Sequence, residues 1–288
     1  MGAADVVPGV SGGTMALVLG VYERLVSGLR AATSLTPWHL LLQGRPAAAW
    51  RAAHAPFLAP LAFGIATAVL VLARLIERAL ELYYVPLYAT FAGLIVAAAV
   101  LVGRRVVRWR WSTLLALVSA ATITTLLLGG PPQATPDTTW SIFVAGAIGI
   151  TALVLPGISG AFMLVLLGQY ARVIGAIAAL DVATLAPFAV GALVGLATIA
   201  RLLELLLRRA LDVTMAALLG VMIASLRRVW PWTSGVTYQD QLVWPPAAWG
   251  SEGWLLALLV ALAAFAAVLG LEHLTGRPMV ARDVSSTS

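Results

Sequence analysis

The chain contains no cysteine and no lysine, has only three histidines, and spends just 10% of its 288 positions on charged residues. Without cysteine, disulfides and thiolate metal centres are excluded. His39, His54 and His273 are too far apart to share a helix face, so neither a metal site nor a cofactor is expected. The start of the chain lacks a basic segment followed by an apolar core and a small-residue cleavage site, so no removable signal peptide is expected. The scarcity of charge accompanies 61% hydrophobic residues and a mean hydropathy of +0.97, which excludes an ordinary soluble domain. All 18 basic residues are arginine and the net charge is +6. In so apolar a chain, that charge fits loops flanking membrane helices rather than a nucleic-acid surface.

Several apolar runs are about twenty residues long and none alternates with period two, so the spanning elements are helices. The sequence predicts an all-α polytopic membrane protein forming a single membrane domain over 1–288. Apolar runs lie at 56–82, 85–103, 111–129, 182–207, 211–229 and 253–271. Segment 104–110 carries the densest cluster of arginines and is predicted to be cytoplasmic, as is the tail 275–288. Segment 230–252 has four tryptophans and no arginine, which predicts an outer interfacial loop. Segment 33–55 reads as a cytoplasmic interfacial loop or short surface helix.

The organising feature is a repeated break in the apolar pattern. Pro8-Gly9-Val10-Ser11-Gly12-Gly13-Thr14 returns as Pro156-Gly157-Ile158-Ser159-Gly160, and Gly20, Tyr22 and Arg24 return as Gly168, Tyr170 and Arg172, all 148 residues apart. Proline removes a backbone donor and glycine weakens a helix, so a helix should break at each copy. Lipid cannot satisfy exposed backbone groups, so such a break belongs against protein or along a wet cavity. Residues 11–15 and 159–163 are expected to start half-helices whose free amides and dipole favour an anion, with small side chains allowing close approach. A kinked helix with a Gly/Ser packing face is the plainer alternative. Two copies at corresponding positions favour a transporter binding site.

The downstream helices repeat as well. Pro60, Gly64, Arg74, Glu77 and Gly93 match Pro187, Gly191, Arg201, Glu204 and Gly220, each 127 residues on. Each half is then a broken hairpin plus three spans, repeat 1 covering about 1–130 and repeat 2 about 140–274. An odd number of crossings per half inverts the second relative to the first, and the two re-entrant tips are expected to meet near the midplane. The first hairpin has a short arm, 1–7, where the second has 140–155. Arg227 and Arg228 fall on the outer side of this scheme, against the charge rule, unless they collect an anion there.

Arg74 and Arg201 lie inside apolar runs with Glu77 and Glu204 three residues on. They read either as ligands for an anion or as ion pairs neutralised along a helix face. Arg24 and Arg172, which close the hairpins, read as phosphate ligands or interface anchors. Asp5 reads as a helix cap or a coupling-proton carrier.

Residues 4–14, Ala-Asp-Val-Val-Pro-Gly-Val-Ser-Gly-Gly-Thr, with Gly20-Val21-Tyr22-Glu23-Arg24 and Leu155-Pro156-Gly157-Ile158-Ser159-Gly160, resemble the signatures of the PopT family of bacterial polyprenyl-phosphate translocases. The resemblance covers nearly the whole chain. It implies a multi-pass protein of the bacterial cytoplasmic membrane that returns undecaprenyl phosphate from the outer to the inner leaflet for reuse in peptidoglycan and other envelope synthesis. It implies no enzymatic chemistry; the partners are polyprenyl phosphate and membrane lipid, and self-association stays open. Two other readings remain. One is an integral-membrane polyprenyl-diphosphate phosphatase, which the absence of a histidine near Ser11 and Ser159 disfavours. The other is a small-anion or ion-coupled solute transporter.

Overall fold

The computed structural model describes residues 1–5, 11–130, 132, 135–230 and 245–275, and no strand occurs among them. Pro8 and Gly9 lie outside the described residues, as do the side chains of Arg74 and Glu77. The first part of the chain forms α1 (Gly2–Asp5), α2 (Gly12–Val18), α3 (Tyr22–Ala32), α4 (Leu35–Leu42), α5 (Pro46–Ala52), α6 (Ala55–Leu82), α7 (Tyr84–Arg105) and α8 (Trp111–Gly129). The second forms α9 (Thr139–Val154), α10 (Gly160–Leu166), α11 (Tyr170–Ala179), α12 (Val182–Arg209), α13 (Leu211–Ser225), a 3-10 turn (Leu226–Val229) and α14 (Pro245–Thr275).

Element bounds recur at the two spacings found in the sequence. Both α2 and α10 have seven residues, and both stop at a glycine in the left-handed region, Gly20 at φ +68° and Gly168 at φ +65°. The last turns close alike, Val21 N–H donating to Ala16 O and Gln169 N–H to Leu164 O, as a left-handed helix stop requires. Both α6 and α12 have 28 residues, with Pro60 and Pro187 at the sixth position, where each removes one ladder bond.

Five described helices are long and apolar enough to cross a bilayer: α7, α8, α12, residues 55–72 of α6 and 253–274 of α14. They become six if α10 and α11, bent by 112°, count as one span. Leu70, Trp111, Leu115 and Leu193 are exposed, a surface suited to lipid and not to water. The buried core runs between α7 and α13, through Ile95, Ala98, Val102, Met215, Ala216 and Met222, and takes in Leu17 and Tyr22 from the first hairpin.

Glycines set the closest helix contacts. A Cβ at Gly93 would overlap the Ala261 carbonyl, and one at Gly220 the Leu117 carbonyl. Thus α7 packs on α14 and α13 on α8, each repeated glycine notching a helix from the other half of the chain. On α12, Gly191 and Gly195 meet Phe143 and Ala147 of α9, whereas the corresponding Gly64 of α6 has open space around it. The stub α1 packs on α6 where Gly2 approaches Ile65 and Ala68.

Polar contacts gather the helix ends into two groups. In one, Arg105 pairs with Glu23, Arg104 with Glu272, and the Asp212 carboxylate accepts from the amides of Val107 (3.0 Å) and Arg108 (3.3 Å). In the other, Gln169 Nε2 donates to Thr135 Oγ1 at 2.7 Å and Arg172 donates to the Thr138 carbonyl at 3.3 Å. The 19 residues of α8 place these groups about 28 Å apart. Hairpin α2–α3 is thereby tied to the end that carries segment 104–110, and α10–α11 to the opposite end.

Segment 33–55 takes the second of its two readings, folding into two short helices, α4 and α5. Two stretches differ from the sequence reading. The apolar run 211–229 is not one continuous α-helix: α13 stops at Ser225 and tightens into the 3-10 turn, where the Arg228 guanidinium lies 4.6 Å from the Phe162 ring centre. Fourteen of the 23 positions of the proposed outer loop 230–252 lie outside the described residues, and its last eight already belong to α14. A proline pair at the start of that helix, Pro245-Pro246, is compatible with its first turn because the amides there have no ladder partner to lose.

Candidate functional site

The two breaks in the helix pattern touch each other. Ser11, wholly buried, precedes α2 in an extended conformation, and its hydroxyl accepts from Gly13 N–H at 3.1 Å. The same hydroxyl donates its proton across to the Leu155 carbonyl at 3.2 Å, with the Leu153 carbonyl at 3.5 Å. In return, Gly157 N–H donates to Thr14 Oγ1 at 2.8 Å, and Tyr22 OH donates to the Val154 carbonyl at 3.3 Å. The carbonyls freed where α9 ends and the amide freed by the turn at Pro156-Gly157 are thus satisfied by side chains of the other hairpin, as buried backbone groups must be.

The described glycines of the motif each have an assignable neighbour. Gly157 sits at φ +90°, and a Cβ there would lie 2.9 Å from Ser225 Oγ. A Cβ at Gly13 would come within 2.8 Å of the Val154 carbonyl oxygen, and one at Gly160 within 2.6 Å of the Gly149 carbonyl oxygen. Ser159 caps α10 by accepting from Phe162 N–H at 3.4 Å.

The amides of α2 are not free, contrary to the sequence reading. Gly12 N–H donates to Asp5 Oδ1 at 2.7 Å, Gly13 N–H to the Ser11 hydroxyl, and Thr14 and Met15 N–H to the Ser11 carbonyl. Asp5 is therefore the cap: its carboxylate fills the place at the positive helix end where an external anion would sit. Glycine at position 12 is what admits it, since a Cβ there would lie 2.8 Å from Asp5 Oδ1. Leu153, at the matching position of the second hairpin, supplies no such group.

Among the described side chains, the repeated arginines do not converge on this junction. Arg24 stacks over the Phe57 ring at 4.4 Å. Arg172 reaches toward the linker before α9, 3.7 Å from Asp137 Oδ1 and 3.5 Å from Gln169 Oε1. Arg74 lies in α6, its side chain outside the description along with that of Glu77. Glu204 pairs with Arg208 at 2.8 Å and with Arg30 Nε at 2.7 Å, not with Arg201. The i,i+3 pairing expected from sequence gives way to an i,i+4 pair plus a partner from α3, which lies against α12 where Glu204 is buried. Tyr22 and Arg30 were absent from the sequence-based site. For Tyr22 a signal existed, because it recurs as Tyr170; for Arg30 none did, since its partner is distant in sequence.

The family model described as undecaprenyl phosphate translocase-like matches residues 1–242. A polyprenyl-phosphate transporter of Vibrio cholerae is 36% identical over 295 residues, covering 94% of this chain and 93% of that protein. A second polyprenyl-phosphate transporter, from Staphylococcus aureus, is 28% identical over 250 residues, covering 80% and 83%. No solved structure gives a significant match. The match spans both hairpin breaks and the helices that hold them together, so the chain belongs to the undecaprenyl phosphate translocase-like family.

Proposed function

We propose that this protein moves polyprenyl phosphate, in particular undecaprenyl phosphate, from the outer to the inner leaflet of the bacterial cytoplasmic membrane. The observation that carries the reading is the direct bonding of the two helix breaks, Ser11 to Leu155 and Gly157 to Thr14. Protein there supplies what lipid cannot, so a phosphate head has a polar place to pass while its isoprenoid tail stays in the bilayer. The two halves are inverted repeats and the two hairpins re-entrant, so an opening at one side has a counterpart at the other. Pro8, Gly9, Ser11, Gly12, Gly13 and Thr14 form one lip of the passage and Pro156, Gly157, Ser159 and Gly160 the other. Arg24, Arg74, Arg172 and Arg201 attract the head at the rims. At the first lip Asp5 must yield before a phosphate can reach the amides of α2, which keeps that lip closed to anions in the conformation seen here.

The serines are poorly suited to a phosphatase. The Ser11 proton is donated to a carbonyl and the Ser159 oxygen caps a helix, so among the described residues neither hydroxyl is bonded to a general base. The test uses proteoliposomes holding a fluorescent polyprenyl phosphate, its leaflet read by a membrane-impermeant quencher. Wild-type protein should accelerate exchange between leaflets, and Ser11→Leu and Ser159→Leu, which fill the passage, should abolish it. Wild-type rates in both variants would remove the hairpin junction as the passage, and no acceleration by the wild type would remove the function itself.

A further inference from the structure

Beside α3 and α12, at the end of the molecule that carries segment 104–110, lies a cavity of about 960 Å³. Its lining includes Arg30, Arg201, Arg208 and Arg209, against a single carboxylate, Glu204. Four guanidinium groups facing one acid leave the cavity three positive charges in excess. No described residue of the hairpin breaks lines it. Ser27, Ser34 and Thr36 add hydroxyls and His54 an imidazole, so hydrogen-bond donors surround the space on several sides.

Glu204 gives the cavity its chemical meaning. Its side chain is 9% exposed, while its partners Arg30 and Arg208 are 51% and 72% exposed. The carboxylate is thus fixed inside and the arginines reach down to it from the rim. The pairing is incomplete: Arg30 Nε is 2.7 Å from Glu204 Oε2, yet that buried oxygen accepts no hydrogen bond among the described residues. A buried charge held by proximity without full hydrogen bonding is a poor bargain for stability. Guanidinium forks match phosphate oxygens at least as well as they match carboxylate.

We propose that this cavity is a binding station for a phosphate monoester, separate from the hairpin junction, in which Glu204 holds Arg30 and Arg208 until the phosphate displaces it. The dianion bridges Arg30 and Arg208, with Arg201 and Arg209 completing the shell, and Glu204 then repels it enough to keep residence short. The proposal rests on the transport reading only where it takes the monoester to be lipid-borne.

The absence of native cysteine makes the site directly readable. Ala52 lines the cavity, so Ala52→Cys reports occupancy by its rate of maleimide labelling in the purified full-length protein, with Gln43→Cys, on the exposed turn between α4 and α5, as the reference thiol. Geranyl phosphate should slow labelling of the cavity thiol at least fivefold, while geraniol and the reference thiol show no effect. Inorganic phosphate separates the sources. Equal protection by it identifies a phosphate site as such, and protection by geranyl phosphate alone identifies a lipid head. On the Ala52→Cys background, Arg30→Gln and Arg208→Gln should each raise the concentration for half-protection about tenfold, and Glu204→Gln should lower it severalfold. Lack of protection in the parent thiol protein, or protection indifferent to both arginine changes, overturns the station. Weaker protection in Glu204→Gln overturns the displacement mechanism. Proteoliposome exchange without cavity protection would sink the station and leave the function standing; protection without exchange would do the reverse.

Discussion

Gly64 and Gly191 occupy the same place in the repeated pattern and should respond in opposite ways to one added methyl group. At Gly191 a Cβ would overlap the Phe143 carbonyl oxygen and lie 2.8 Å from its carbon. Ordinary contact between carbons begins near 3.5 Å, so α9 would have to retreat by at least about 0.7 Å. The obstacle is helix backbone and cannot rotate away, and overpacking of this kind costs about 1–3 kcal/mol. At Gly64 nothing lies within 4 Å of the added atom, so alanine there contributes only its better helix propensity, about 0.8–1.0 kcal/mol. The propensity gain also applies at Gly191 but is outweighed. Gly64→Ala should therefore be more stable than Gly191→Ala by roughly 1–3 kcal/mol, or about 2–12 °C in melting temperature. The assay is thermal unfolding of the purified protein in one detergent, followed by tryptophan fluorescence. Equal shifts in the two variants would refute the claim that α9 covers α12 in a way nothing covers α6 at Gly64.

Three further outcomes are expected. Thr14→Val keeps the shape but strands the Gly157 amide in a buried place and should destabilise by about 1–3 kcal/mol, whereas Thr14→Ser should be close to wild type; equal loss in both would assign the effect to packing, not the hydrogen bond. Asp181, before α12, is held below the ordinary carboxylate range first by the Thr184 hydroxyl and then by the amides of Ala183 and Thr184. Its stabilisation is therefore present above its unfolded pKa near ~3.9 and lost as pH falls through its lower folded value, so an acid melting series should fall less steeply for Asp181→Asn than for wild type. Single cysteines at position 108 and at position 238 should label from opposite sides of intact cells, the first only after permeabilisation; labelling of both from outside would refute the assigned orientation.

Sequence periodicity foretold much of the helical framework because the repeat preserves local signals. Glycine at 20 and 168 stops a half-helix in the left-handed region, and the bounds of α12 follow those of α6 at the sequence spacing. Even the contact of the two breaks was legible, since breaks in an apolar chain need protein partners. Asp5 as the anion at α2 was legible only as a cap preference, because nothing local tells a carboxylate to return over seven residues to Gly12. The Glu204 cluster was misread for a physical reason. Arg201 at i−3 and Arg208 at i+4 are both in reach along the helix, and the choice falls to packing, since α3 brings Arg30 to the same carboxylate. The contact beyond the end of α13 was likewise out of reach, since Phe162 lies sixty-six residues from Arg228.

The reciprocal notches, Gly93 receiving α14 and Gly220 receiving α8, bear on how the protein is built. Ala261 is 168 residues downstream of Gly93, an interval of roughly 10–30 s at bacterial synthesis rates. Throughout that interval α7 sits in the membrane with its groove vacant, and lipid or an insertion factor must occupy it until the final helix arrives. A ribosome halted before α14 therefore leaves a nascent protein in which α13 already packs on α7 and α8 while the Gly93 groove of α7 is still uncovered. The same notches mean that two fragments divided in the 130–138 linker, made together in one cell, carry complementary grooves and ridges sufficient to find each other in the plane of the membrane.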